Sequence, residues 1–377
     1  MVIDIIGAGI GGLTTAIALE KKGLKTRIFE QAEEIKPVGA GIILANNAMQ
    51  VYKKFGLNDI IKNNGQLISS LNITTSNLKP LSKVDLSHFE QKYKVKNIAI
   101  HRGLLQQILI DQLKSTEIIL NHKLKNVIKN GNEFTLRFEN GKDYNSSTLI
   151  GADGINSVIR QQLFPKNSIR HAYQSCWRGI SDYNLPSKFK NELNEAWGEK
   201  GRFGFVQISE DKVYWYALKS FKKNKDELVF NNVKKEFYKF HPTIKDIILS
   251  TPIQHINEAE ISDLKPTKVW HKKNVCLIGD AAHATTPNMG QGACQAIEDA
   301  YILSECLSKY EMNKAFNEFQ RIRLPKAHQV VKTSWTIGKM AHYSSPLLIK
   351  LRNTILQLTP SSINKKQNEN IFKLGSI

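Results

Sequence analysis

The chain opens Val2-Ile3-Asp4-Ile5-Ile6-Gly7-Ala8-Gly9-Ile10-Gly11-Gly12, and these residues decide the fold. Val2 to Ile6 is apolar apart from Asp4, the pattern of a strand buried on both faces of a parallel sheet. Gly7, Gly9 and Gly12 then satisfy G-x-G-x-x-G. The first permits a tight strand-to-helix turn, the second lets a pyrophosphate approach the backbone, and the third lets the helix pack on the sheet. The helix expected over 11–22 turns Leu13, Ala16, Ile17 and Leu19 inward, and its positive amino end faces the phosphates. A second strand over 26–30 ends at Glu30, 21 residues beyond Gly9, where a carboxylate accepts ribose hydroxyls. The hexapeptide alone is a weak signal. Strand, turn, helix and acid in this order read as a dinucleotide site.

At 377 residues the chain exceeds a single core, so two packed domains are expected. The four cysteines, Cys176, Cys276, Cys294 and Cys306, form no C-x-x-C pair, and the histidines form no ligand pattern. This argues against a metal site and fits a reducing cytoplasm. No run of about 18 apolar residues suggests a membrane span. A signal peptide is not expected either, since residues 1–6 already form the first strand. The net charge of +19 raises the question of nucleic acid. Its lysines, however, come in small clusters such as Lys21/Lys22, Lys92/Lys94/Lys96 and Lys365/Lys366, most of them mixed with Asn, Asp or Glu, as on a solvated surface.

Further helices are expected near 46–55 and 102–113. Alternating segments at 68–76 and 82–87 pair as a hairpin or a sheet edge. Strands follow near 117–120, 124–129, 133–138 and 147–150, with Asn-Gly turns at 130–131 and 140–141. The section 170–265 changes character: aromatic-rich alternating runs at 172–181, 202–208 and 213–219 suggest antiparallel strands, with a lysine-rich helix near 227–239. A buried strand at 275–278, a helix from about 290 and helical sequence over 311–359 complete the chain.

Two more constellations carry chemistry. Gly151-Ala152-Asp153-Gly154, with Ser157 and Arg160, is either an ordinary capped turn or part of a nucleotide site. In Gly279-Asp280-Ala281-Ala282-His283, a buried strand delivers Asp280 to a turn, where its carboxylate accepts hydrogen bonds from ribityl hydroxyls. Pro287-Asn288-Met289-Gly290-Gln291-Gly292 then precedes a helix whose bare amino end suits the negative charge of a reduced flavin. His283 reads as a structural histidine in preference to a proton carrier.

In this order and spacing, the three motifs resemble the class A flavoprotein monooxygenases, the single-component aromatic hydroxylases and epoxidases. The run 287–292, Ala296-Ile297-Glu298-Asp299-Ala300, Lys36-Pro37-Val38-Gly39-Ala40-Gly41 and Trp177-Arg178-Gly179 are similar to the zeaxanthin epoxidase and urate hydroxylase branch. The resemblance covers roughly residues 1–330. It implies an α/β fold: a Rossmann-like FAD-binding domain (1–170 and 266–330), an inserted mixed β-sheet substrate domain (171–265) and C-terminal helices (331–377). It implies that Gly7, Gly9, Gly11, Gly12, Glu30 and Gln31 hold the ADP half of FAD, with Leu124 by the adenine and Ile43 near the cofactor. Arg102 reaches FAD, its planar fork suiting phosphate or flavin oxygens. Asp153, Asp280, Gly290, Gln291 and Gly292 complete the cofactor set. Arg202 and Tyr214 match in spacing an arginine and a tyrosine that face the flavin in the urate branch. That branch carries an acidic residue where this chain has Asn288, which argues against urate and toward the epoxidase-like pattern.

The activity so implied is that of an NAD(P)H- and FAD-dependent monooxygenase. Reduced flavin and O2 form a C4a-hydroperoxide, and its distal oxygen passes to a small aromatic or unsaturated substrate. The rival readings on the same fold are a prenyl reductase or a halogenase; the W-x-W-x-I-P halogenase signature is absent, the nearest run being Tyr214-Trp215-Tyr216. A reading of another class is a flavin-binding protein held at a membrane surface by the basic tail helix after Pro346. Packing of that helix on the domain is the preferred alternative.

Overall fold

The structure is a computed structural model and describes residues 2–36, 40–165, 167–199, 201–221 and 233–376. The central layer is a six-stranded sheet in the order His271–Lys272, Val275–Leu277, Leu149–Gly151, Val2–Ile6, Lys25–Phe29, Glu117–Ile119. All neighbours run parallel except the first pair. Asp4 is buried in the middle strand because Arg27 pairs with its carboxylate at 2.9 Å, as a charge in a core requires. The helix Ile10–Glu20 crosses over to the second strand and is buried at Ile10 and from Gly12 to Leu19. It is wedged between the sheet and the helix Gly292–Lys309, so it buries more than the one face expected. The expected Asn-Gly turns join an antiparallel meander, Leu124–Asn130, Glu133–Phe138 and Asp143–Ser146, with Gly131 and Gly141 at φ 64° and 82°.

The second layer is a seven-stranded mixed sheet in the order Asn257–Leu264, Ile169–Asp182, Lys212–Ser220, Gly201–Gln207, Glu192–Trp197, Ser70–Thr75, Pro80–Asp85. The hairpin expected around 68–87 forms its edge. Two of the seven strands therefore come from upstream of residue 171. The single parallel pair joins Glu192–Trp197 to Ser70–Thr75. One face buries Trp177, Phe203, Phe205 and Trp215 in a core shared with Ile244, Ile247 and Ile248 of the helix Pro242–Leu249. On the opposite face, Val206 and Tyr214 join the core of the first layer.

A small antiparallel sheet, Gly41–Leu44, Asn97–His101 and Gln66–Ile68, leads into the helix Arg102–Asp111. The helices Met312–Ala341, Pro346–Leu358 and Ser361–Phe372 follow at the end, the first running unbroken through residue 330. Residues 227–232 of the lysine-rich helix expected near 227–239, and Pro37-Val38-Gly39, lie outside the described residues; Val233–Glu236 is helical.

Candidate flavin and substrate site

The first glycine turn is packed on its inner side and open on its outer side. A Cβ on Gly7, at φ 106°, would stand 2.5 Å from the Ala152 carbonyl oxygen, and one on Gly12 would stand 2.0 Å from that of Gly7. A Cβ on Gly9 would meet nothing within 4 Å. The helix beginning at Ile10 has no side-chain cap, so its first amides are left for an anion. Glu30 accepts from the Ala8 amide at 2.7 Å and the Ala32 amide at 3.0 Å. Each fixed oxygen keeps a lone pair for a ribose hydroxyl. Gln31 is exposed beside it. The His122 amide donates to the Glu30 carbonyl at 2.8 Å, which brings the start of the Leu124 strand to the same place. The Leu124 side chain is buried in the core and its strand pairs there with Phe138.

The second and third turns are tied into one unit. Asp153 accepts with Oδ2 from the Val158 and Ile159 amides at 2.8 and 3.3 Å, while its Oδ1 is buried without a partner. Burial raises its carboxyl pKa. A buried orphan acceptor is costly, and it fits a donor arriving with a polyhydroxylated cofactor. Arg160 donates to the Ala281 carbonyl at 2.9 Å and to that of Ile155, so it joins the turn after Asp153 to the turn after Asp280. Asp280 is exposed on one side and densely surrounded on the others. The surrounding protein raises its pKa, with the charges of His283 and Arg102 opposing. Arg102 is exposed at the head of its helix, its backbone fixed by an amide bond to the Ala40 carbonyl at 2.8 Å.

One helix gathers these parts. Gly11 and Gly279 both press on Ala296, where added Cβ atoms would lie 3.1 and 3.0 Å from its Cβ. Gly290, at φ 61°, precedes the uncapped start at Gly292. The Gln291 side chain turns inward, accepting from Asn47 at 3.2 Å and Gln295 at 3.1 Å, so only its backbone is free for a cofactor. The Ile43 carbonyl faces the Cys294 thiol at 3.5 Å. Behind the helix, Arg323 binds Glu298 at 2.6 Å and Asp299 at 2.8 Å. Lys326, lowered by burial to about 8, also holds Glu298 at 2.6 Å. His283 lies 2.6 Å from Asp299, in the structural role expected of it. The tail closes on the same charges: Lys326 donates to the Lys373 carbonyl at 2.7 Å and the Gly375 amide to Glu298 at 3.3 Å.

On the second sheet, the predicted substrate residues stand with others that sequence reasoning missed. The Tyr214 ring lies on Gly41, where a Cβ would come within 2.3 Å of its Cγ. Burial raises its phenol pKa, and the charges of Arg178 and Arg102 oppose. Arg202 is 1% exposed. Its Nη1 donates to Glu195 at 2.9 Å, its Nη2 donates to the Asn288 oxygen, and its Nε has no partner. Asn288 in turn donates to the Thr286 hydroxyl at 2.8 Å and the Ser334 carbonyl at 2.7 Å. Asn288 thus straps the flavin loop to the long helix and positions Arg202.

Glu195 also accepts from the Trp197 indole at 2.5 Å and from the Tyr216 hydroxyl. His342 lies beside this network, 3.1 Å from the Gln174 amide and within reach of the Arg202 and Glu195 charges. Glu195 escapes sequence reasoning because Glu192–Trp197 shows no regular alternation of polar and apolar residues.

A family model of the FAD binding domain matches residues 1–334. The aurachin C monooxygenase/isomerase of Stigmatella aurantiaca is 31% identical over 96% of this chain and 95% of its own. The 2-heptyl-3-hydroxy-4(1H)-quinolone synthase of Pseudomonas aeruginosa is 29% identical over 99% and 98%. Among solved structures, Klebsiella pneumoniae HpxO complexed with FAD and uric acid superposes with a TM-score of 0.89 at 22% identity, over 99% of this chain and 96% of that one. The turns that leave Gly9 and two uncapped helix ends open, together with these likenesses, place the chain in the FAD binding domain family, among the class A FAD-dependent monooxygenases.

Proposed function

We propose that the substrate is a flat heteroaromatic ring offering both a hydrogen-bond donor and an acceptor, of the 4(1H)-quinolone class, and that the chain hydroxylates it with NAD(P)H and O2. The observation that carries this reading is the polar floor of the second sheet. There Glu195 holds Arg202 and Tyr216 together beside Tyr214. Such a floor offers donors and one carboxylate to the edge of a ring, while the tyrosine rings pack on its face. A relative matched over nearly the whole chain and named for a 4(1H)-quinolone supports the same class.

FAD, when bound, supplies the hydride acceptor and the site of oxygen activation. Gly9 and the amino end at Ile10 hold its pyrophosphate, Glu30 its ribose, and Asp153 and Asp280 its ribityl chain. Arg102 and the amino end at Gly292 face the ring. Arg202 orients the substrate, Glu195 draws on the proton of the substrate's ring N–H through Tyr216, and Tyr214 keeps water from the reacting face.

The test is NAD(P)H oxidation by the purified yellow protein with a 2-alkyl-4(1H)-quinolone, urate or an isoprenoid alkene, and mass analysis of products made under 18O2. Quinolone-stimulated turnover with one labelled oxygen in the product is expected. Stimulation by urate alone, or alkene saturation without label, would refute the proposal.

A further inference from the structure

The helix Pro346–Leu358 exposes five large apolar side chains: Leu347 at 75%, Leu348 at 42%, Leu351 at 55%, Ile355 at 53% and Leu358 at 75%. At about 100° per residue these fall within an arc of about 100°. A helix of a globular protein normally turns such a stripe inward. Here the inward side is fixed by different chemistry. Arg352 is 2% exposed, donates to the Ala341 carbonyl at 3.1 Å, and lies over the Trp197 ring at 5.2 Å. That anchor sets the rotation of the helix and leaves the stripe facing out. The next helix continues it with Ile363, 47% exposed.

Along the chain around this helix the charge has one sign. From residue 319 to 368 the sequence has no Asp or Glu and nine Lys or Arg. Lys332, Lys339, Lys350, Lys365 and Lys366 are exposed. A second copy seated on this face would bring like charges together. An anionic bilayer complements both features, because it takes up the apolar stripe and attracts its cationic rim. Among the described residues no helix is long and apolar enough to cross a membrane, so the contact is with the surface.

We propose that Pro346–Leu358 is an amphipathic foot that seats the protein on an anionic bilayer. The proposal is independent of which substrate is oxygenated.

The FAD-loaded full chain is to be sedimented with phosphatidylcholine vesicles, with and without about one third phosphatidylglycerol, at low and high salt. Binding to the anionic vesicles about tenfold tighter than to the neutral ones, and weakened by salt, is expected. The variant L347Q/L351Q/L358Q should lose about tenfold in binding while its flavin absorbance is unchanged. The variant K350Q/K365Q/K366Q should weaken binding to the anionic vesicles alone; this second arm keeps the test decisive if the first variant folds poorly. Absent or charge-independent binding, or full binding by either variant, would overturn the proposal. So would a wild-type dimer, seen by light scattering, that the leucine substitutions abolish.

Discussion

Glu195→Gln tests the polar floor most directly. Three donors, the Trp197 indole, the Arg202 guanidinium and the Tyr216 hydroxyl, converge on this carboxylate, whose side chain is 13% exposed. Glutamine keeps the volume but puts an N–H2 group among donors. It also leaves the buried Arg202 guanidinium without an anionic partner, beside the Asn288 oxygen alone. Breaking one side of a buried ion pair costs about 3–5 kcal/mol. The Tyr216 hydroxyl can turn to accept, so the lower end, about 3 kcal/mol, is expected here. With an unfolding entropy of about 2.1 cal/mol/K per residue, a chain of 377 residues loses about 4 °C in Tm. The assay is thermal unfolding of the FAD-saturated protein in a double-mutant cycle with Arg202→Met. In the Met background no buried cation is left stranded, so Glu195→Gln should then cost about 1 kcal/mol or less. An equal loss in both backgrounds would refute the coupling of Glu195 to Arg202, and with it the reading of this floor as one unit.

Gly9→Ala should fold at near wild-type stability yet hold FAD at least about tenfold more weakly, because its Cβ meets no protein atom and projects into the space assigned to the pyrophosphate. Gly12→Ala, with its Cβ 2.0 Å from a carbonyl oxygen, should not fold to a yellow protein at all; the ratio of flavin to protein absorbance reads both. His342 gives the acid side of the pH profile a sign. Burial, aided by the Arg202 charge, lowers it to about 4, against about 6.5 when unfolded. Below about 6.5 the unfolded chain takes up a proton that the native one refuses, so stability falls from there toward pH 4, by about 2 kcal/mol at pH 5. Melting curves at pH 7.5 and 5 should show that loss shrinking in His342→Asn. Asn288→Asp turns an oxygen toward the Ser334 carbonyl, where a donor stood at 2.7 Å. It should cost about 1–3 kcal/mol by chemical denaturation and confer no urate oxidation, measured as urate consumption.

The cofactor half of the molecule was the more legible in the sequence, because glycine turns and buried strands are local devices. The strand before Gly7, the acid at Glu30 and the turn at Asp280 each announce themselves within a few residues, and all three meet in the fold. What escaped were the consequences of long-range pairing. The strand Glu192–Trp197 has no strong period, and its identity rests on a parallel partner, Ser70–Thr75, over a hundred residues upstream. Glu195 was missed with it. The sequence marks Gln291 as part of the glycine turn at 290–292, but its side chain faces Asn47 across a packing that no local pattern encodes. Asn288 drew notice as a departure from an acidic pattern. That it works as a strap depends on Gly338, where a Cβ would lie 2.3 Å from its amide nitrogen.

Residues 372–375 are fastened to three helices, Asn46–Lys54, Met312–Ala341 and the helix Gly292–Lys309 that starts at the glycine turn proposed to face the flavin. Gln50 grips the Phe372 carbonyl at 2.8 Å, Lys326 that of Lys373, and Glu298 the Gly375 amide. Linkage runs both ways: whatever FAD gains from a fixed helix, the tail gains from bound FAD. Trimming by a carboxypeptidase should therefore run more slowly on the yellow protein than on the colourless one.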